Sequence, residues 1–163
     1  MKTLLILRHA KSSWQNPDLS DHDRPLNKRG LNDAHRMGKL LYDEDLLPDL
    51  ILCSSAKRAQ KTAELLIEAS GYTGEFQVSR DLYAHYSEAY LMILSEMDNV
   101  YQSIMIVGHN PGLEELLNTL TGEWHRMPTA SLAEVALPID DWSILDDEID
   151  GVLVNLWRPK ELP

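Results

Sequence analysis

The feature that most constrains this fold occurs three times: a short, uncharged, mostly aliphatic run that breaks off into a polar turn. Thr3 to Leu7 leads into Arg8-His9-Ala10-Lys11, Leu50 to Cys53 into Ser54-Ser55-Ala56-Lys57-Arg58, and Ser103 to Val107 into Gly108-His109-Asn110-Pro111-Gly112. Runs this short without polar alternation describe strands buried on both faces, the pattern of a parallel sheet covered by helices.

Helical periodicities lie between them. From an N-cap at Asn27, Leu31, Ala34, Gly38 and Leu41 share one face; the helix fades at Asp43-Glu44-Asp45, and Pro48 forbids its continuation. A second helix runs to about Ser70 with Ala59, Ala63 and Leu66 inward, and a third from about Ser87 to Met97 with Leu91 and Leu94 inward. A fourth covers Leu113 to Thr121, with Asn110 as N-cap, Pro111 at the first helical position and Glu114 and Glu115 in its positive first turn. Phe76 to Ser79, Leu132 to Leu137 and Gly151 to Arg158 read as further strands. A short acidic connection before the last predicts an antiparallel edge strand. The alternation predicts one domain over residues 1–163, an α/β fold: a three-layer α/β/α sandwich with a mostly parallel central sheet.

Composition narrows the function classes. The chain has 15 Lys and Arg against 26 Asp and Glu, a formal net charge of −11, which disfavours a nucleic-acid backbone or an anionic membrane as partner. Basic residues that cluster in one crevice of so acidic a protein would serve to hold an anion locally. The single cysteine, Cys53, lies in an apolar run and reads as a small buried hydrophobe. The histidines show no metal-ligand spacing, so no metal and no cofactor are expected. Arg8 interrupts the first apolar run too early for a signal peptide, and no run is long enough to span a bilayer, which predicts a cytoplasmic protein.

If the three buried strands are parallel, their carboxyl ends bring two arginines, Arg8 and Arg58, and two histidines, His9 and His109, to one crevice. Planar guanidinium forks suit bidentate grip on a phosphate, and the helix start after His109 adds backbone donors; Ser54 and Asn110, in the same turns, are candidate substrate contacts. A neutral histidine held against that phosphate is a competent nucleophile toward phosphorus, with a phosphohistidine as the intermediate. Thr129, Ala130 and Ser131 precede a strand and are positioned to line the pocket. His22, His85 and His125 read as solvated or structural, with His85 near the rim, and Trp124 and Trp142 as packing residues.

These residues resemble the histidine phosphatase superfamily, the phosphoglycerate mutase-like proteins. Arg8-His9-Ala10 is similar to its R-H-[GA] signature, Ser54 to Ala59 with Thr62-Ala63 to its second arginine motif, and Gly108-His109-Asn110 to its second histidine motif. The resemblance implies that His9 is the phosphorylated nucleophile and that Arg8, Arg58 and His109 form the phosphate pocket. Asp23-Arg24-Pro25-Leu26, Arg29-Gly30 and the compact length resemble the SixA branch, the phosphohistidine phosphatases. That resemblance implies Arg24 as a substrate contact; pairing of Arg24 with Asp21 or Asp23 in the loop is the alternative.

One departure bears on substrate. Many relatives acting on phosphate esters carry a glutamate after the third strand that protonates the leaving alkoxide, where this chain has Leu82-Tyr83-Ala84-His85. Glu88, Asp18 and Asp21 are the remaining candidates. Imidazole, with a pKa of about 6.5, leaves phosphorus far more readily than an alkoxide. The span between Arg58 and His109 also leaves little chain for a lid, which predicts an open crevice. The expected function is therefore hydrolysis of phosphohistidine on a partner protein. The alternatives are a small-molecule phosphomonoester phosphatase or mutase on the same scaffold, and a non-catalytic phosphate-binding signalling module.

Overall fold

A computed structural model describes residues 1–163. The elements are β1 (Lys2–Arg8), α1 (Lys28–Asp43), β2 (Leu50–Ser54), α2 (Lys57–Ser70), β3 (Glu75–Ser79), α3 (Ser87–Ser95), β4 (Ser103–Gly108), α4 (Gly112–Thr121), β5 (Leu132–Leu137) and β6 (Val152–Trp157). One six-stranded sheet runs in the order β3-β2-β4-β1-β5-β6. The pairings β2 with β3, β2 with β4 and β1 with β4 are parallel. The edge strand β6 pairs antiparallel with β5, as its connection predicts, and β5 also pairs antiparallel with β1, so the reversed strand lies one place in from the edge.

The uncharged strands cover both faces because successive side chains alternate sides. Leu4, Ile6, Leu50, Leu52, Ile104 and Ile106 pack with Tyr90 and Leu94 of α3 and with Leu113, Leu116 and Leu117 of α4. Leu5, Leu7, Ile51, Cys53, Met105 and Val107 pack with Ala34, Met37 and Leu41 of α1 and with Ala59, Ala63 and Leu66 of α2. That gives three layers and two cores, with Cys53 buried as expected.

Four local expectations are corrected. On α1, Leu31 is exposed and Met37 takes the inward place, because the buried stripe follows Gly30, Asp33, Ala34, Met37, Gly38 and Leu41. Helix α3 ends at Ser95, and Tyr90 is fully buried on its inner face. The α4 cap is Pro111, one residue later than expected, while the Asn110 side chain still accepts a bond from the Glu114 N–H at 3.2 Å. Trp142 is a packing residue, fully buried with its indole N–H on the Tyr101 carbonyl, but Trp124 is 63% exposed.

Strand order sets where a site can form. The chain leaves β1 toward β2 on one side of the β1–β4 pair and leaves β4 toward β5 on the other, so the turns after these neighbouring strands diverge and open a crevice at their carboxyl ends. The register pairs Arg8 with Gly108, which puts His9 and His109 side by side. No helix is long and apolar enough to cross a membrane.

Candidate active site

The site begins at the end of β1. The His9 N–H donates to the Gly108 carbonyl at 3.1 Å, and the Ala130 N–H lies between the Arg8 and His9 carbonyls at 3.1 and 3.0 Å. Ala130 has φ of 63°, an uncommon conformation for a side-chain-bearing residue, which turns its N–H onto the Arg8-His9 backbone. From α2, the Thr62 hydroxyl accepts from the Ala10 N–H at 3.0 Å and donates to the Arg58 carbonyl at 2.7 Å, joining the first histidine turn to the second arginine. At Gly30 a Cβ would overlap the Lys11 carbonyl, so glycine lets α1 start directly against this turn.

The ring of His9 is 6% exposed. Its Nδ1 lies 2.7 Å from the Ala10 carbonyl, which can only accept, so Nδ1 carries the proton. The Nε2 lone pair is left facing the Arg58 Nε–H at 3.4 Å. Burial, reinforced by the charges of Arg58, Arg8 and Arg24 and opposed by the bond to Ala10, pushes the His9 pKa down to about 3. The imidazole is therefore neutral at physiological pH with Nε2 unprotonated.

His109 is fixed in the complementary sense. Its ring centroid lies 5.0 Å from that of His9. Arg58 Nη2, a donor only, lies 3.4 Å from His109 Nδ1, so Nδ1 accepts and Nε2–H donates to Ser54 Oγ at 2.8 Å. Burial and the charges of His9, Arg58 and His85, partly offset by Asp21, push its pKa down to about 2. The hydroxyl of Tyr90 accepts the His109 N–H at 2.9 Å and donates to the Ala84 carbonyl at 3.1 Å, pinning the backbone that carries the ring.

Arg8, His9, Arg58 and His109 are thus brought together, but not all sequence candidates face the gap. Arg8 donates from Nη1 to the Met127 carbonyl at 3.0 Å, and its buried Nε has no partner. Burial lowers its pKa, Glu114 opposes this, and Arg58 adds to it. Ser54 is fully buried at the edge of the His109 ring away from Arg58, where its Oγ also accepts from the Ala56 N–H; it orients His109 instead of reaching into the gap. Asn110 spends its amide on the Met127 carbonyl at 2.9 Å and its oxygen on Glu114. Of the residues before β5, Thr129 lines a neighbouring cavity and Ser131 is buried with an unpaired hydroxyl.

Arg24 reaches the site through Asp21. Its Nε and Nη2 donate to Asp21 Oδ1 at 3.1 and 3.0 Å, its Nη1 to Ser12 Oγ at 2.6 Å, and its guanidinium carbon lies 3.4 Å above the Trp14 ring. The other Asp21 oxygen accepts from Arg58 Nη2 at 3.0 Å and from the Tyr83 hydroxyl at 2.5 Å, while the Asp21 carbonyl takes Arg58 Nη1 at 2.6 Å. Burial alone would raise the Asp21 pKa; the bond from Tyr83, the charge of Arg58 and the bonds from Arg24 and Arg58 outweigh it and hold the carboxyl well below the usual carboxylate range. Of the three candidate acids, only Asp21 contacts the arginine and histidine cluster, and it stands there as a carboxylate.

Two loops border the crevice beside the histidine pair. The link from Asp21 to Tyr83 joins the loop before α1 to the loop before α3, and the Tyr83 ring stands edge-on to His109 at 5.5 Å. His9, Arg58 and His109 are all nearly buried, at 6%, 3% and 1% exposure. His22, read as solvated or structural, sits beside Tyr83 and bonds Ser55 Oγ at 2.9 Å; His85 is at the rim, 5.7 Å from His109. The Arg24–Asp21 pair is the alternative that the sequence offered for Arg24, and what the sequence does not show is that the same carboxylate also holds Arg58.

A neutral imidazole whose unprotonated nitrogen meets a guanidinium, beside a second neutral imidazole and within the field of a second arginine at the carboxyl ends of parallel strands, defines a phosphoryl-handling α/β protein. Residues 4–83 match the family model described as histidine phosphatase superfamily (branch 1). A crystal structure of an Agrobacterium tumefaciens protein assigned as a phosphohistidine phosphatase, SixA, superposes with a TM-score of 0.84 at 30% identity, over 97% of this chain and 98% of that one. The chain belongs to the histidine phosphatase superfamily. An uncharacterized chloroplastic protein of Arabidopsis thaliana is 33% identical over 141 residues, which are 81% of this chain and 65% of that protein. A 2,3-bisphosphoglycerate-dependent phosphoglycerate mutase of Streptomyces avermitilis is 42% identical over 69 residues, 41% of this chain and 27% of the mutase.

Proposed function

We propose that this chain hydrolyses phosphohistidine carried on a protein, through a covalent intermediate on His9. The observation that carries the reading is the state of Asp21: the carboxyl at the site is held ionised by Arg24, Arg58 and Tyr83, so no protonated acid stands ready for a leaving alkoxide. A phosphorylated imidazole does not need one, since its leaving group is a far weaker base. The near full-length likeness to a protein assigned as SixA supports the same class.

In the first step His9 Nε2 attacks phosphorus and the P–N bond of the substrate breaks, its electron pair returning to the departing imidazole, which takes a proton from solvent or leaves already protonated. Arg8 and Arg58 neutralise the equatorial oxygens, the Arg58 fork exchanging Asp21 for the phosphoryl group. The Nδ1–H bond to Ala10 stabilises the positive charge that the His9 ring acquires on phosphorylation. In the second step water attacks phosphorus, the bond to Nε2 breaks, and inorganic phosphate and neutral His9 are regenerated.

The test is phosphate release by wild type and His9→Ala from a phosphohistidine-bearing protein and, at equal concentration, from a three-carbon phosphate ester. Preference for the phosphohistidine substrate, abolished in His9→Ala, is the expected result. Preference for the ester would overturn it in favour of the phosphomonoesterase or mutase reading, which the local likeness to phosphoglycerate mutases favours.

A further inference from the structure

Beside the arginine and histidine cluster lies a concavity of about 260 Å³, lined by Arg8, Lys11, Arg29, Glu114, Arg126, Met127, Pro128 and Thr129. Four of its eight lining residues are cationic and one is acidic, in a chain where acids outnumber bases 26 to 15. The one acid is already engaged: Glu114 Oε2 accepts the Met127 N–H at 2.7 Å and fixes the loop that forms the wall. Arg29 shares its charge with Asp33 at 3.6 Å along α1. Lys11 and Arg126 are exposed and have neither an ion pair nor a side-chain hydrogen bond. Arg8 belongs to both sites, lining this concavity while its charge acts on His9.

An exposed cluster of like charges repels itself weakly in water and raises the local concentration of anions. Arg8, Lys11 and Arg126 line the same concavity, so a group attached to a phosphoryl held by Arg8 has the two free cations within that one space. We propose that this concavity is a second anion subsite, which receives a carboxylate borne by the phosphoryl donor; on the phosphohistidine reading, on which this rests, it is an Asp or Glu side chain flanking the phosphorylated histidine. The same chemistry in a small molecule would be a carboxylate on a phosphate ester. The subsite explains how so acidic a protein takes an acidic partner: general repulsion is overcome at one place, next to the reacting phosphorus.

The experiment compares wild type with Lys11→Ala/Arg126→Ala, neither residue belonging to the phosphoryl site. Four substrates are used: a phosphohistidine peptide with Asp and Glu flanks, the same peptide with Asn and Gln, phosphoglycerate and glycerol phosphate. For wild type the acidic peptide is expected to have the lower KM. In the double variant that KM rises about three- to tenfold, the effect of two partly exposed ion pairs, to meet the neutral peptide's value, with kcat unchanged. The wild-type advantage shrinks as salt is raised. Equal KM shifts for acidic and neutral peptides, or no shift for either, would overturn the subsite while leaving the phosphohistidine reading standing. If neither peptide is turned over but phosphoglycerate is preferred to glycerol phosphate, and Lys11→Ala/Arg126→Ala removes the preference, the subsite stands, its source is a small molecule, and the phosphohistidine reading fails.

Discussion

The floor of the site and its rim are held by different kinds of contact. On the floor, His9 and His109 sit at the ends of β1 and β4, whose register places them side by side, and each ring is set by one short hydrogen bond, to the Ala10 carbonyl and to Ser54. On the rim, the loop from Ser12 to Pro25 is anchored at its base by the Ser12–Leu26 bridge, and its arginine is placed by side chains alone: Asp21, Ser12 and Trp14. Arg58 joins the two, with one edge toward the histidines and the other on Asp21. The floor is preorganised by main chain common to the whole sheet, whereas the rim can rearrange by exchanging one carboxylate for another anion.

The largest effect expected short of replacing His9 is at the junction. Arg58→Lys keeps the charge but loses the planar fork that reaches His9, His109 and Asp21 together, and it is expected to lower kcat/KM by about 10²- to 10³-fold. A loss under tenfold in steady-state kinetics would mean that the floor holds the phosphoryl group without Arg58 and that floor and rim are independent.

Asp21→Ala tests the rim. Arg24 and Arg58 lose their shared anchor, and kcat/KM is expected to fall about tenfold with a destabilisation of about 1–2 kcal/mol, discounted because the carboxylate is partly exposed. Unchanged or increased activity would show that Asp21 only competes with the phosphoryl group for Arg58.

Acid stability separates the regions by sign. Burial holds His9 and His109 neutral, with pKa values of about 3 and 2 in the folded chain. Unfolded histidine takes up a proton near pH 6.5, so between roughly pH 6.5 and 4 the unfolded state binds protons that the native state refuses, and stability falls as pH falls. Asp21 contributes its loss only below the ordinary carboxylate range, since its folded pKa is depressed. A thermal melt series from pH 8 to 4 should show wild type losing several degrees more than His9→Asn/His109→Gln, from a difference on the order of 1–3 kcal/mol per histidine at the acid end. Parallel curves would mean that the rings titrate normally and that the floor is wetter than its burial implies.

The same contrast explains what was legible in the sequence. Leu4 to Leu7, Leu50 to Cys53 and Ile104 to Val107 announce strands by lacking any polar alternation, and a parallel sheet then brings Arg8, His9, Arg58 and His109 to one end whatever the loops do. Ser54 was visible in its turn but not its direction, because whether a buried hydroxyl faces ligand or a neighbouring ring depends on packing. Tyr90 was not among the inward residues expected of α3, and nothing local in the sequence marks an aromatic whose hydroxyl holds a strand end. The rim was the least legible: Asp21, Arg24 and Tyr83 meet through side chains on two irregular loops, and contacts of that kind leave no periodicity to read.

The smallest expected effect probes the outermost rim contact. Trp14 is 72% exposed and touches the site only by lying beneath the Arg24 guanidinium, which Asp21 and Ser12 also hold. An exposed cation–π contact contributes about 0.5–1 kcal/mol, so Trp14→Ala should raise KM about two- to fivefold and leave kcat alone if Arg24 contacts substrate. Trp14→Phe should recover part of the loss, because a smaller aromatic face still carries the ring quadrupole. An equal fall in kcat with unchanged KM would instead place Arg24 at the transition state and erase the distinction between rim and floor. No change in either parameter would leave Arg24 as the partner of Asp21 alone, a strut for Arg58 that never reaches the substrate.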